Sequence, residues 1–283
     1  MNLKTILAAA IAATALALPQ GTVLAAEGVA LDEIEVNVTD LASLQSGART
    51  FVNYCLGCHS ASLMRYNALR GIGLTDDQIR DNLMFTADKV GLPMAIAMRP
   101  KDAKEWFGTA PPDLSVIARA RGADWLYTYL RAFYRDASSP TGWNNKVVPN
   151  VAMTHVLWQL QGMRGATVET VRVVRNDAGA VTGHTRTVAV FDRSGLKTET
   201  MTELPAGAEF HEGVTVKLAR PEGGRLSTAD YDRVVSDLVT FLVWMGEPHQ
   251  TERRQVGVWV LFALAVLIFL SYFLKRAYWK DVH

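Results

Sequence analysis

Cys55-Leu56-Gly57-Cys58-His59 decides how the rest of this chain is read. Two cysteines three apart, followed at once by histidine, form the attachment signature of c-type haem. The spacing follows from the chemistry. Each thiol adds to one vinyl group of the porphyrin, and the tethered pair holds the next side chain under the iron, where the His59 imidazole becomes the proximal ligand. These are the only two cysteines in 283 residues, so neither has another partner to explain it. A thioredoxin-like dithiol wants a βαβ setting, and the flanks here read as helical. A zinc site wants two further Cys or His ligands close by, yet the next histidine is His155.

Both ends of the chain place that motif. After Met1-Asn2-Leu3-Lys4 comes an apolar run over residues 6–18, closed by Pro19 and small residues, with Val23-Leu24-Ala25 at a cleavage site. A basic start, a core too short to span and a small-residue exit read as a secretory signal over residues 1–25. A second apolar run, 256–274, carries no charge and reaches about 28 Å as a helix, close to the hydrocarbon thickness. Arg253 and Arg254 precede it, Lys275, Arg276 and Lys280 follow, and Tyr272, Tyr278 and Trp279 sit at belt positions. The expected layout is an exported body over 26–255, a transmembrane helix over 256–274 and a cytoplasmic tail over 275–283. A net charge of +1 argues against nucleic acid as a partner.

Within the body, Asp40 is the expected cap of a helix whose Leu41, Leu44, Ala48, Phe51 and Val52 recur at helical spacing up to the haem motif. Thr75-Asp76-Asp77-Gln78 reads as a capping box. Ala110-Pro111-Pro112-Asp113-Leu114-Ser115 reads as a rigid turn leading into a helix that carries Arg119 and Arg121 and ends at Gly122. Asp124 is the expected cap of the next helix, 125–134. Residues 138–150, rich in Pro, Gly, Asn and Ser, read as loop. Alternation over 167–173 and 181–191 predicts a β-hairpin, with one more strand near 214–218. The expected fold is therefore mainly α, a c-type haem domain with a β-rich insertion over about 165–225 and one C-terminal transmembrane helix. A last amphipathic helix is capped by Ser227 and ended by Gly246 and Pro248. The acidic segment 27–40 reads as a solvated arm, or as a surface steering a basic partner.

A low-spin electron-transfer haem needs a sixth ligand. Met94, Met98 and Met153 lie in irregular stretches from which a loop reaches over a haem face, and His155 would give a bis-histidine pair of lower potential. Spacing does not choose among them. His184, His211 and His249 read as surface histidines.

The chain resembles the cytochrome c1 family, the haem subunits of ubiquinol–cytochrome c reductase, in a bacterial form. The resemblance is carried by Cys55-Leu56-Gly57-Cys58-His59-Ser60 with Tyr66-Asn67-Ala68-Leu69, by Ala110-Pro111-Pro112-Asp113-Leu114-Ser115 with Arg119-Ala120-Arg121-Gly122, by Asn150-Val151-Ala152-Met153, and by 238–248 before a single tail anchor. It implies one covalent haem c on Cys55 and Cys58, with His59 as proximal and Met153 as sixth ligand. Pro111 and Pro112 would pack on the haem, and Arg121 would pair with a propionate, a role suited to a guanidinium fork. Implied partners are cytochrome b, a Rieske iron–sulfur protein and a c-type cytochrome acceptor, with the body on the periplasmic side of the inner membrane. The function implied is one-electron transfer, without substrate chemistry on this subunit. Two alternatives are a free-standing membrane cytochrome feeding a terminal oxidase and a haem sensor or peroxidase. Two departures stand out: Thr154-His155 replaces the proline usual after the ligand methionine, and the β insertion has no counterpart in the family pattern.

Overall fold

The computed structural model describes residues 29–206 and 211–280; the expected export signal lies outside them. Helix α1 (Leu41–Tyr54) starts where Asp40 accepts from the Ala42 and Ser43 amides, so the expected cap is in place. Leu44, Ala48 and Phe51 on one face of α1 are fully buried against helix α7 (Thr228–Gly246), whose Val235, Leu238 and Phe241 face them. Gly47 makes this crossing tight. A Cβ there would lie 2.1 Å from the Asp237 carbonyl oxygen, so only glycine lets the backbones approach. Phe51 and Phe241 meet at 5.7 Å, and Ser43 donates to Asp237. This pair is the spine of the main core.

Short elements wrap it. Strand β1 (Ala61–Arg65) pairs antiparallel with β2 (Pro93–Met94), and a 3-10 helix (Tyr66–Ile72) follows β1. Helix α2 (Asp76–Asn82) has the capping box in full, with Thr75 and Gln78 bonded reciprocally. Helix α3 (Pro100–Phe107) precedes the Pro111-Pro112 turn. Helices α4 (Ile117–Arg121) and α5 (Ala123–Arg131) meet at Gly122, whose φ of 89° lets this single residue turn the chain from one into the other. Asp124 is therefore inside the first turn of α5 rather than its cap. Its carboxylate instead accepts from the Ile34 amide.

That bond is one of several that dock the acidic N-terminal segment. The Asp32 amide donates to Thr128, and the Asp32 carboxylate pairs with Arg131 at 2.8 Å. Arg131 also forks onto Asp232 of α7, at 2.6 and 3.0 Å. The segment is thus a strap over α5 rather than a free arm.

The region expected as loop contains a strand. β3 (Phe133–Arg135) pairs with β4 (Trp143–Asn145), whose three residues are all buried. Helix α6 (Trp158–Gln161) then leads into β5 (Gly162–Met163), which pairs with β10 (Glu222–Gly223). Between those two lies a four-stranded antiparallel sheet of β6 (Ala166–Arg175), β7 (Val181–Phe191), β8 (Lys197–Pro205) and β9 (Gly213–Leu218), in the order β8-β7-β6-β9. Strand β8 was not expected. It is an edge strand with almost every residue exposed, so it carries no apolar alternation to read. The sheet joins the body where Ala166, Ala189 and Phe191 pack on Tyr134. His184, expected at the surface, is buried in β7, 5% exposed and across from Val173 and Leu204. With this much sheet the description "mainly α" is too strong. Helix makes up 41% of the described residues.

Helix α8 (Gln250–Tyr278) stands clear of the body. Its apolar window is wholly exposed, and it is long and apolar enough to cross a membrane.

Candidate haem site

Helix α1 ends by feeding its last carbonyls into the cysteine motif. The Cys55 amide donates to Phe51 O, and the Cys58 and His59 amides both turn back to Cys55 O, at 3.1 and 2.9 Å. The pentapeptide is thereby a single tight turn on the end of a rigid helix. Cys55 is buried and Cys58 exposed, and the two form no disulfide. Burial, helped by the neighbouring Cys58, pushes the Cys55 thiol up to about 12. A redox dithiol needs the opposite shift.

The Pro111-Pro112 segment is fastened to this turn. Leu114 N donates to Ser60 O at 2.8 Å. Asp113 accepts from the Ser62 amide and hydroxyl at 2.9 and 2.7 Å and from the Ser115 amide at 2.8 Å. Burial raises the Asp113 carboxyl, but the bonds from Ser115 and Ser62 outweigh it and hold the group below its ordinary value. With the segment fixed, the Pro112 carbonyl lies 2.8 Å from His59 Nδ1. A carbonyl only accepts, so Nδ1 carries the proton and Nε2 keeps the free lone pair. Metal-ligating histidines take this arrangement, with the second nitrogen pinned by a carbonyl or carboxylate. Burial keeps the His59 ring below its usual value, against the opposing pull of Pro112 and Asp113.

The third wall is the loop after β4. Buried Asn145 accepts from the Val147 and Val148 amides at 2.8 and 3.3 Å and donates to Tyr129 O at 2.9 Å. Asn144 accepts from the Asn150 amide and donates to Asp136. Asn150 adopts a left-handed φ of 56°, which asparagine tolerates, and the chain then delivers Met153. Beyond it His155 is locked into the fold. Its ring stacks on Phe133 at 4.8 Å, meets Trp143 edge-on at 5.0 Å, and its Nε2 bonds Gln161. Burial drives the imidazole down to about 3, so it is neutral. His155 does not line the cleft, although Thr154 and Val156 on either side of it do.

These walls enclose one deep cleft of about 1210 Å³, counted out to its open mouth. All seven residues expected at the site line it: Cys55, Cys58, His59, Pro111, Pro112, Arg121 and Met153. Leu126, Leu130, Leu238 and Leu242 make its floor apolar. Arg121 lies with its guanidinium 5.1 Å above the Trp125 ring, a contact through the face that leaves the N–H edge for an acceptor. Met94 is fully buried in the main core, and neither it nor Met98 borders the cleft. The residues fit haem c. Two thiols stand beside an imidazole with a free Nε2, an apolar slot receives the macrocycle, a thioether reaches in from a separate loop, and a cation suits a carboxylate. Sequence reasoning missed Tyr129, whose hydroxyl bonds the Met153 sulfur at 3.3 Å. Its position on the inner face of α5 marked it only as core.

Residues 33–171 and 224–282 match the Cytochrome C1 family. The chain belongs to the cytochrome c1 family. Residues 172–223, most of the four-stranded sheet, fall outside the match. The chain is 40% identical over 257 residues to cytochrome c1 of Allochromatium vinosum, covering 90% of this chain and 91% of the relative. It is 42% identical over 255 residues, 90% of each, to a Nitrosomonas europaea protein named ammonia monooxygenase gamma subunit. The mitochondrial cytochrome c1 of Saccharomyces cerevisiae is 21% identical over 265 residues, 86% of this chain and 68% of the relative. Family members bind one covalent haem c.

Proposed function

We propose that this chain is the electron-transfer haem subunit of a quinol–cytochrome c reductase, with cytochrome b and a Rieske iron–sulfur protein as its membrane partners. The observation that carries the reading is the meeting of Cys55, Cys58, His59 and Met153 in one apolar cleft, with His59 Nδ1 already committed to Pro112. When bound, haem c supplies a one-electron iron couple, loaded from the Rieske centre and discharged to a c-type cytochrome. The chain's own residues do the rest. Cys55 and Cys58 form the two thioether links. His59 offers Nε2 as proximal ligand, and the Pro112 carbonyl fixes the orientation and tautomer of its ring. Met153 offers its sulfur as sixth ligand, a donor that favours the reduced state and raises the potential. Pro111 and Pro112 give a rigid wall beside the macrocycle, and Arg121 neutralises a propionate. Helix α8 anchors the body to the membrane. The export signal read over residues 1–25 supports a body on the periplasmic side of the inner membrane.

The test uses the full chain in its native membranes. Mild detergent extraction is expected to bring cytochrome b and a Rieske protein with it, and quinol is expected to reduce the haem only while the iron–sulfur subunit is present. Rapid reduction of a preparation lacking both partners would instead identify a free-standing membrane cytochrome. Carbon monoxide binding to the reduced parent protein would point to a sensor or peroxidase.

A further inference from the structure

Tyr129 sits in the last turn of α5 with its orientation fixed from three sides. Its ring stacks on Trp125 at 4.8 Å and 10° and meets Phe133 edge-on at 5.2 Å. Its backbone carbonyl accepts from Asn145, the residue that also gathers the amides of the loop leading to Met153. From this seat the phenol hydroxyl reaches the Met153 sulfur at 3.3 Å. One side-chain pair thus fixes both the start of the loop and the sulfur at its end.

We propose that Tyr129 is a positioning residue for the redox couple, setting through its hydroxyl the donor strength of the Met153 thioether. The proposal rests on Met153 as sixth ligand. A thioether sulfur has two lone pairs; one serves the metal and the other accepts from the phenol. The hydrogen bond draws electron density from the sulfur. The ferric ion, with its higher charge, gains more from sulfur donation than the ferrous ion, so a weaker donor costs the oxidised state more. Tyr129 therefore biases the couple toward reduction. Hydrogen bonds to ligand atoms are a general lever on metal-site potentials.

The experiment compares the haem-loaded full-length protein with its Tyr129→Phe variant, which keeps both ring contacts and removes only the oxygen. The midpoint potential is expected to fall by a three- to tenfold change in the reduction equilibrium constant, about 30–60 mV for one electron. The weak far-red absorption of Met–Fe(III) ligation is expected to persist with a shifted maximum. Phe133→Leu, which loosens the ring packing but leaves the hydroxyl, is the control. An unchanged potential and band in Tyr129→Phe, or an equal fall in Phe133→Leu, would overturn the proposal while leaving the ligand assignment standing. Absence of the far-red band from the parent protein would overturn the ligand assignment, and this proposal with it.

Discussion

Replacing Asn145 with alanine should loosen the Met153 loop more than any exposed amide deletion. Asn145 is 1% exposed, and its carboxamide holds three backbone groups: Val147 N at 2.8 Å, Val148 N at 3.3 Å and Tyr129 O at 2.9 Å. Val147 is also buried, 3% exposed, so its amide has no ready access to water. A buried polar group left unpaired costs about 1–3 kcal/mol. Val147 N accounts for most of the loss, because the bond to Val148 is long and Tyr129 O keeps the Ala132 amide at 3.1 Å. The sum is about 2 kcal/mol, with water entry setting the lower side. For a domain of this size that lowers Tm by about 4–8 °C. The assay is thermal melting of the haem-loaded protein, followed at the far-red Met–Fe(III) band and at the helical ellipticity. The band should vanish at a lower temperature than the helices melt, because the loop fails before α1 and α7 separate. Asn82→Ala, which removes an exposed amide bond to Gln78 O, is the comparison and should melt like the parent. If Asn145→Ala melts within a degree of Asn82→Ala at both wavelengths, the asparagine clasp does not hold the loop.

Other consequences follow from single contacts. Gly47→Ala drives a methyl into Asp237 O and should cost at least about 3 kcal/mol or abolish folding, read as loss of soluble yield and Tm. Burial raises the Asp136 carboxyl, but bonds from Ser138 and Asn144 hold it below its ordinary value. Its contribution is therefore complete above the unfolded value of about 3.9 and is lost as the pH falls from there through the lower folded value. Acid titration of Asp136→Asn should show a shallower loss of stability below about pH 4 than the parent, and parallel curves would refute this. Asp113→Ala releases Ser62 and Ser115 and lets the Pro112 carbonyl drift from His59. Haem attachment per chain should fall severalfold by haem-stained gel, whereas Glu247→Gln, which breaks only exposed ion pairs to Arg119 and Arg253, should leave it unchanged.

The sequence exposed those parts of the site that local chemistry dictates. The Asp40 cap, the Thr75 box and the Pro111-Pro112 turn each state their role within a few residues, and all three stand as read, while the cysteine spacing brings both thiols to the cleft. Met153 is different. Spacing left it level with Met94 and Met98; the family resemblance favoured it, and tertiary placement separates the three: Met94 goes into the core beside β1, whereas Met153 is carried to the cleft by bonds from Asn144 and Asn145. Those asparagines lie in a stretch whose composition reads as loop, because short polar side chains that serve buried backbone look the same in sequence as those that face water. His155 shows the same limit in reverse. A histidine two residues from a candidate ligand methionine invites a metal role, yet Phe133, Trp143 and Gln161 absorb it completely. Strand β8 and buried His184 were hidden because the sheet's order is set by cross-strand pairing, which period-two alternation marks only where one face is dry.

The most direct measurement is the far-red absorption of the oxidised, full-length Met153→Leu protein, alongside haem that remains on the chain after denaturation. The band present in the parent is expected to disappear while haem stays covalently attached through Cys55 and Cys58. A band that survives the substitution would contradict the pairing of His59 and Met153 across this cleft.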